Sequence, residues 1–467
     1  MTALPARLAP LLAEGTPARA LAQRFADAGH ELYLVGGSVR DALLDRPSTD
    51  LDFATGANPD EIRQLVDGWA SDLYLAGAVF GTIGAIRDGH VYEITTYRSE
   101  VYRDDSRKPH VKFSDSIEED LSRRDFTVNA MAIRVPAAEG DVPRLVDPHE
   151  GVADLAAATL RTPLDPEISF GDDPLRMLRL FRFVSTLAFQ PDPGALDAVS
   201  RMKGRLQIVS AERIQAEFDR LLVGDQVAAA LWGLVRSGLA DEFIPEIPAL
   251  ELQQDPVHRH KDVLAHSIAV TEKASPRLVL RLAALFHDVG KPDTRRIDAG
   301  IVSFHHHEVV GARMTKERLR ALKYPTKVVD AVSQLVFLHM RPHTYKMGWT
   351  DSAVRRYVRD AGPLLDDLNE LVRCDVTTRN RKRAMAIERR IDELEERIAD
   401  LRQREELDSM RPPIDGHQVM AHLGLAPGPE IGEIMRMLLE RRIEDGPYSE
   451  EEAFTMLDEW RASRDEA

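Results

Sequence analysis

The 467-residue chain, with 43% hydrophobic and 30% charged residues, has the composition of a soluble globular protein and is too long for one hydrophobic core. Its net charge of −16 argues against indiscriminate nucleic-acid binding, although a local arginine cluster would still allow an RNA partner. A single cysteine excludes an internal disulfide, and no apolar run approaches the roughly 20 residues of a membrane span. We therefore expect a cytoplasmic protein with no membrane contact.

The first chemically informative element is the segment 32–55, LYLVGGSVRDALLDRPSTDLDFAT. It opens with an apolar run that predicts a buried strand. Gly36 and Gly37 follow, and they allow a sharp turn close to a bound group because they carry no Cβ. Ser38 has the side chain of an N-cap for the helix that holds Arg40. A strand, a glycine turn and a helix N-terminus together predict an anion site.

A pair of carboxylates follows on the next predicted strand. Residues two apart in a strand point to the same face, so Asp50 and Asp52 lie roughly 7 Å apart at Cα and can bind one cation. A phosphate site facing two carboxylates indicates a nucleotide bound through Mg²⁺, whereas either piece alone is also typical of a solvated strand edge. The ordered set resembles the nucleotidyltransferase superfamily of template-independent polymerases.

Beyond this element the secondary-structure signal changes along the chain. Short β-like runs between residues 73 and 97, punctuated by glycines, predict a small mixed sheet backed by helices. The segment 98–112 has mixed charge and no periodicity, which predicts a mobile loop. From about Gly151 the pattern predicts helices to the C-terminus. One of them, 379–404, is charged all round, and its basic start is either solvated or a contact for a phosphate backbone.

Two further motifs carry concentrated charge. Arg123-Arg124-Asp125, followed by Asn129, offers charge for a triphosphate and hydrogen bonds for a ribose, although a surface ion-pair cluster is an equal alternative.

The second motif is a helix that begins just after Asp173. There Arg176, Arg179 and Arg182 recur every three residues on one flank of an otherwise apolar helix. Solubility alone does not require this pattern, so it indicates a common anionic or base-bearing target. A later helix that contains residues 212–217 is placed to buttress it.

These motifs occur in a family-specific order. The segments LVGGSVRD, DLDF, RRDFTVNA, DDPLRMLRLFRF and ERIQAEFDRLL, within about residues 25–225, resemble the class II tRNA nucleotidyltransferases, which include CCA-adding enzymes and bacterial poly(A) polymerases. The resemblance implies that Asp50 and Asp52 hold the catalytic Mg²⁺. It places in the nucleotide site Gly36, Gly37, Arg40, Arg124, Asn129, Asp173, Arg176, Arg179 and Arg182. Asp172 stands where the family usually has Glu.

In this resemblance, Asp173 and Arg176 read the base. A carboxylate accepts a hydrogen bond from an exocyclic amine, and a guanidinium donates to the adjacent ring nitrogen. Cytosine and adenine present that edge, whereas uracil and guanine would leave both protein groups unpaired in a buried site. The pair therefore selects CTP and ATP without a nucleic-acid template. The segment 77–82 lacks the basic pair of bacterial poly(A) polymerases, and the 98–112 loop resembles that of CCA- and A-adding enzymes, so the pattern favours CCA addition.

A second constellation lies in the helical half. Histidine and carboxylate side chains suit a divalent metal, and their order resembles the HD phosphohydrolase superfamily over about residues 258–380. The resemblance implies one metal on His266, His287, Asp288 and Asp375, with His307 and His339 available for a second. It further implies phosphatase or 2′,3′-cyclic phosphodiesterase activity. An inactive scaffold that keeps these residues is the alternative.

The sequence thus predicts an α+β protein with four parts. These are a nucleotidyltransferase head at 15–150, a helical base-reading neck at 151–245, an HD body at 246–400 and a helical tail at 401–467. We expect CCA addition to tRNA from CTP and ATP. The alternatives are a poly(A) or A-adding polymerase on the same head, and a metal-dependent HD phosphohydrolase whose head only binds RNA. The oligomeric state is left open.

Overall fold

A computed structural model of the chain describes residues 8–47, 51–75, 77, 81–101, 110–114, 116–251, 262–298, 301–342, 349–376, 381–405 and 410–465. The chain forms two compact units, Met1–Pro245 and Glu246–Ala467. The finer division into head, neck, body and tail stays a prediction.

The first unit is built on a mixed seven-stranded sheet in the order β3-β4-β5-β2-β1-β8-β9. Strands β2 and β5 pair in parallel, and the other neighbours pair antiparallel. The strands of this unit are β1 (Leu32–Val35), β2 (Leu51–Thr55), β3 (Asp72–Tyr74), β4 (Thr82–Arg87), β5 (His90–Thr96), β6 (Arg98–Val101), β7 (His110–Phe113), β8 (Ala132–Arg134), β9 (Arg144–Val146), β10 (Thr159–Leu160) and β11 (Gln190–Pro191).

Helices alternate along the chain with the strands of this sheet, and further helices follow its last strand. They are α1 (Pro17–Asp27), α2 (Gly37–Leu43), α3 (Pro59–Val66), α4 (Ile117–Ser122), α5 (Gly151–Ala156), α6 (Pro166–Asp172), α7 (Leu175–Leu187), α8 (Pro193–Met202), α9 (Ala211–Leu222) and α10 (Val227–Arg236). The sheet and the helices confirm the expected α+β class.

Strand β1 is buried on both faces, as its apolar run predicts. Leu32 and Leu34 belong to one core cluster with Phe53 of β2, whereas Tyr33 and Val35 belong to a second cluster on the opposite face. This double burial fixes where the strand ends. The glycine turn after Val35 therefore follows a central, buried strand of the sheet.

In the residues of the second unit that the structure describes, helices predominate, and β12 (Arg295–Asp298) pairs antiparallel with β13 (Ile301–Phe304). Its helices are α11 (Val263–Lys273), α12 (Leu278–Phe286), α13 (Lys291–Thr294), α14 (His307–Ala321), α15 (Thr326–Leu338), α16 (Asp351–Ala361), α17 (Leu365–Cys374), α18 (Arg381–Glu405), α19 (Gly416–Leu423), α20 (Pro429–Asp445) and α21 (Glu450–Asp465). Of the helices described, none has the length and apolar character that a bilayer crossing requires.

Two expectations about local structure were wrong. The ends of the segment 98–112 are not a loop, because β6 and β7 pair antiparallel from Arg98 opposite Phe113. Residues 102–109, which connect them, lie outside the described residues. The helical half also contains short strands, β10 to β13, that the sequence pattern did not predict. All these strands have two to four residues, too few to show a period of two.

Candidate functional site

At the glycine turn after β1, the backbone of Gly36 lies close to the side chain of Arg124. Gly36 has a φ of +67°, a conformation that L side chains rarely adopt, and it precedes α2. A Cβ at Gly36 would lie 2.9 Å from Nη1 of Arg124, so even a methyl group would displace that guanidinium. The positive φ therefore favours glycine at this turn, and a larger residue would also have to move the Arg124 guanidinium.

Asp52 lies beside this turn on β2. Its backbone N–H donates to the Ser38 hydroxyl oxygen at 3.3 Å, which ties the second strand to the start of α2. Asp50 lies outside the described residues, so the geometry of the predicted carboxylate pair stays a prediction.

A cavity of about 650 Å³ opens next to the turn. It brings together most of the predicted nucleotide-site residues, which come from the turn after β1, from α2, β2 and α7, and from the segment 124–129. The predicted residues that line it are Gly36, Gly37, Arg40, Asp52, Arg124, Asn129, Arg179 and Arg182.

A chain of hydrogen bonds crosses one wall of this cavity. Arg40 Nη1 donates to Asn129 Oδ1 at 2.7 Å, and Asn129 Nδ2 donates to Asp125 Oδ1 at 2.9 Å. The other oxygen of Asp125 accepts from Arg179 Nε at 2.9 Å. A buried carboxylate thus joins α2, next to the glycine turn, to α7.

The charge of Asp125 is stabilised by these partners. Burial alone would raise its pKa, but the Arg179 guanidinium and the Asn129 amide together hold the pKa of Asp125 well below its usual range. In return, Asp125 and Glu217 raise the pKa of Arg179 against the effect of burial. Asp125 is therefore ionised at neutral pH although it is buried.

Glu217 on α9 extends this ion-pair network. Its carboxylate lies 3.2 Å from Arg179 Nη1 and 3.0 Å from Arg182 Nε, and it is buried. The helix that the sequence placed as a buttress does contact α7, and it does so through this carboxylate. Sequence reasoning named neither Asp125 nor Glu217 as a site residue, although both lie inside the motifs that it quoted.

The two predicted base readers do not line the cavity. Asp173 Oδ2 accepts from Arg213 Nη2 at 2.8 Å, and Asp173 Oδ1 accepts from the backbone N–H of Leu175. Arg176 donates to the Ser169 hydroxyl at 2.9 Å and to the carbonyl of Arg123. Both groups are thus engaged by protein partners, and Arg176 is bound to the residue that precedes Arg124 of the cavity wall.

The second unit contains a cluster of metal-ligand side chains. Two triads have ligand atoms within 4.8 Å of one another, His266 with His287 and Asp375, and Asp288 with His307 and His339. These are the six residues that the sequence predicted. Within each triad two imidazoles point Nε2 at each other, at 3.2 Å for His266 and His287 and at 3.3 Å for His307 and His339.

Three of these histidines are held in one orientation. Nδ1 of His287, His307 and His339 lies 2.8, 2.8 and 2.6 Å, respectively, from a backbone carbonyl three residues earlier. An N–H that donates to such a carbonyl leaves Nε2 with its lone pair toward the cluster, which is the arrangement of metal-binding imidazoles. The donor set therefore fits divalent metal ions.

Asp288 belongs to the second triad and also faces His287 of the first. One carboxylate oxygen is 3.2 Å from His287 Nε2, and the other is 3.4 Å from His307 Nε2. Burial opposes its charge, yet His287 and Lys291 hold the pKa of Asp288 well below its usual range. Asp288 can therefore serve both triads, whereas the sequence assigned it to the first metal alone.

Three family models match the chain. They are described as "Poly A polymerase head domain" over residues 32–161, "Probable RNA and SrmB- binding site of polymerase A" over residues 188–250 and "HD domain" over residues 263–401.

Curated relatives match over most of the chain or over about half of it. An A-adding tRNA nucleotidyltransferase of Deinococcus radiodurans is 36% identical, covering 91% of this chain and 95% of the relative. A CC-adding tRNA nucleotidyltransferase of Thermus thermophilus is 32% identical, covering 93% and 95%. A CCA-adding enzyme of Limosilactobacillus fermentum is 39% identical, covering 50% and 56%.

The fold is also that of a solved structure. The CCA-adding enzyme of Bacillus stearothermophilus, crystallised in complex with CTP, superposes with a TM-score of 0.68 at 24% identity, covering 96% of this chain and 98% of that one.

Replacing Asp125 by Asn should make stability less dependent on pH. Because the folded-state pKa of Asp125 is lowered, its stabilising effect is complete above the unfolded pKa of about 3.9 and is lost as the pH falls below it. In urea unfolding between about pH 3 and 7, the native chain should lose stability toward acid more steeply than Asp125→Asn. At neutral pH the variant should be less stable by about 3 kcal/mol, since Arg179 loses a buried partner.

The matched control for this experiment is Asp197→Asn, which changes an exposed carboxylate in the interior of α8. Its stability should follow that of the native chain at every pH. Parallel curves for the native chain and Asp125→Asn would contradict the assigned ionisation.

Proposed function

Since this chain belongs to the class II tRNA nucleotidyltransferases and carries an HD domain, we propose that it adds C, C and A in turn to the 3′ end of tRNA. CTP and ATP are the nucleotide substrates, and pyrophosphate is released. The observation that carries the proposal is the single cavity that joins the glycine turn and Asp52 to the arginines of α7. Such a reaction would take place in the cytoplasm, where tRNA and both nucleotides are present.

In this proposal the carboxylates of Asp50 and Asp52 hold Mg²⁺. The position of Asp52 beside Gly36 and Gly37 in the cavity supports this assignment. Bound there, the metal would lower the pKa of the RNA 3′-hydroxyl and stabilise charge on the phosphates. Arg40 and Arg124 offer guanidinium groups to the triphosphate, and the same wall of the cavity holds Asn129 for the ribose.

Base reading by Asp173 and Arg176 requires an exchange of partners. The amine of cytosine or adenine would occupy lone pairs of Asp173 beside the Arg213 contact, and Arg176 would turn from Ser169 to the ring nitrogen. The bond between Arg176 and the Arg123 carbonyl supports a position next to the cavity wall.

The number of nucleotides added is the main alternative. The two relatives described above that match over more than 90% of the chain are an A-adding and a CC-adding enzyme. A-only addition on the same head is therefore the second candidate, and poly(A) addition is the third.

An incorporation assay separates these candidates. With tRNA that lacks its CCA end, the native chain should add two C residues from CTP and then one A when ATP is present. Asp52→Asn should abolish all incorporation without unfolding the protein, because it removes a metal ligand.

Asp60→Asn, which changes an exposed carboxylate outside the cavity, is the control and should retain full incorporation. Addition of A alone to tRNA ending in CC, or of long A runs to generic RNA, would replace the proposal by one of its alternatives. Full activity of Asp52→Asn would remove the metal assignment.

Nucleotide choice tests the base readers separately. Asp173→Asn exchanges an acceptor for an amide that can also donate to the carbonyl of uracil, so the preference for CTP over UTP in kcat/KM should fall about tenfold or more. Arg213→Gln breaks the same ion pair but keeps the Asp173 carboxylate, and it should preserve the preference. Unchanged discrimination in Asp173→Asn would rule out its base-reading role.

The six converging ligands favour a second activity, metal-dependent hydrolysis of phosphate esters at the HD site. His287→Ala should lower bound divalent metal and abolish phosphate-ester hydrolysis, tested with 2′,3′-cyclic nucleotides, while nucleotide transfer continues. His422→Ala, which changes a histidine paired with Asp458 in the same unit, is the control. If the native chain binds no metal, the inactive scaffold is favoured. If the native chain transfers no nucleotide and Asp52→Asn still hydrolyses phosphate esters, a phosphohydrolase with an RNA-binding head is favoured.

A further inference from the structure

The nucleotide cavity has an outer end that the proposed nucleotide contacts do not use. Its wall there contains Arg46, Thr186, Arg220 and Val223. Both arginines are exposed, and Val223 keeps 38% of its surface exposed. Arg46 Nη1 donates to the carbonyl of Thr186 at 3.3 Å, which joins the segment after α2 to α7. These side chains form the solvent-facing mouth of the cavity.

Ion pairing divides the arginines of the cavity into two groups. The inner arginines all face carboxylates: Arg40 faces Asp41, Arg124 faces Asp120, Arg179 faces Asp125 and Glu217, and Arg182 faces Glu217. Within the part of the chain that the structure describes, Arg46 and Arg220 form no ion pair. Among the described residues, the two arginines at the mouth therefore differ from the inner ones in facing no carboxylate.

The charge of Arg220 contributes to the pKa of its buried neighbour Arg182. Burial and the charge of Arg179 lower the pKa of Arg182 to about 10, and the charge of Arg220 acts in the same direction. In a chain of net charge −16, this is a local region of positive potential inside a concave wall. Such a region concentrates anions.

The reaction brings two phosphate-bearing substrates to one metal site. The nucleotide is small and binds with its own metal ion at the glycine turn, whereas the RNA is a polymer that must stay connected to solvent. An exposed mouth with unpaired arginines suits the polymer. The inner end contains the glycine turn and Asp52, where the proposed function places the nucleotide and its metal ion.

We propose that Arg46 and Arg220 bind phosphodiester groups of the RNA 3′ terminus and so hold its hydroxyl toward the nucleotide. This assignment rests on the proposed function. Both side chains contact the RNA substrate directly, which makes them RNA-binding residues of the transfer reaction. Val223 adds an apolar surface beside them for the terminal ribose.

Steady-state kinetics with tRNA that lacks its CCA end tests this assignment. Arg46→Gln and Arg220→Gln should each raise KM for tRNA about tenfold near physiological salt and reduce the salt slope of tRNA affinity by about 1, because each removes one phosphate contact. KM for CTP should stay within twofold of the native value. Arg220→Lys should recover most of the affinity, since a phosphate accepts a point charge.

Arg63→Gln, which changes an exposed arginine on α3 outside the cavity, is the matched control and should keep the native KM for tRNA. An unchanged KM for tRNA in both mouth variants would overturn the assignment. So would an equal rise in KM for CTP, which would identify a triphosphate contact instead.

Direct binding of fluorescent tRNA, read by anisotropy across salt concentrations, keeps the two proposals apart. If the native chain binds tRNA but transfers nothing, the proposed function fails and the salt slopes still decide the role of the arginines. If the native chain transfers nucleotides and both variants keep its salt slope, only the RNA assignment fails.

Discussion

The arrangement of the nucleotide cavity depends on one buried carboxylate, Asp125. A buried charge is costly unless it is paired and hydrogen-bonded, and Asp125 meets this requirement through Arg179 and Asn129. Asn129 in turn accepts from Arg40 beside the glycine turn. These bonds join α2, which follows the glycine turn, to α7, which carries the arginines, and so connect two sides of the cavity.

Much of this site could be predicted from the sequence because its local rules are strong. The glycine turn, the helix after it and the arginine flank of α7 each follow from residue type and spacing. The hydrogen-bond partners of the charged side chains could not be predicted, because nothing in the residue spacing shows that Asp173 pairs with Arg213, 40 residues away. The pairing of β6 with β7 was missed for a similar reason, since each strand has only four residues.

For the metal-ligand cluster of the second unit, too, the sequence predicted the residues but not all of their contacts. The order of its histidines and aspartates predicted which residues converge, and the structure brings all six together. The order of residues in the sequence could not predict that Asp288 faces both triads, since this depends on how α12, α14 and α15 converge. The chain thus combines two sites of different composition, a cavity lined by arginines and carboxylates and a cluster of imidazoles and carboxylates whose donor set fits divalent metal ions.

The most direct test of this account is a structure determined with CTP and Mg²⁺ bound. The account predicts the triphosphate at Gly36 and Gly37, the metal on Asp52, and the ribose toward Asn129, all within the cavity closed by α7. A nucleotide bound elsewhere on the chain, or a metal out of reach of Asp52, would contradict it.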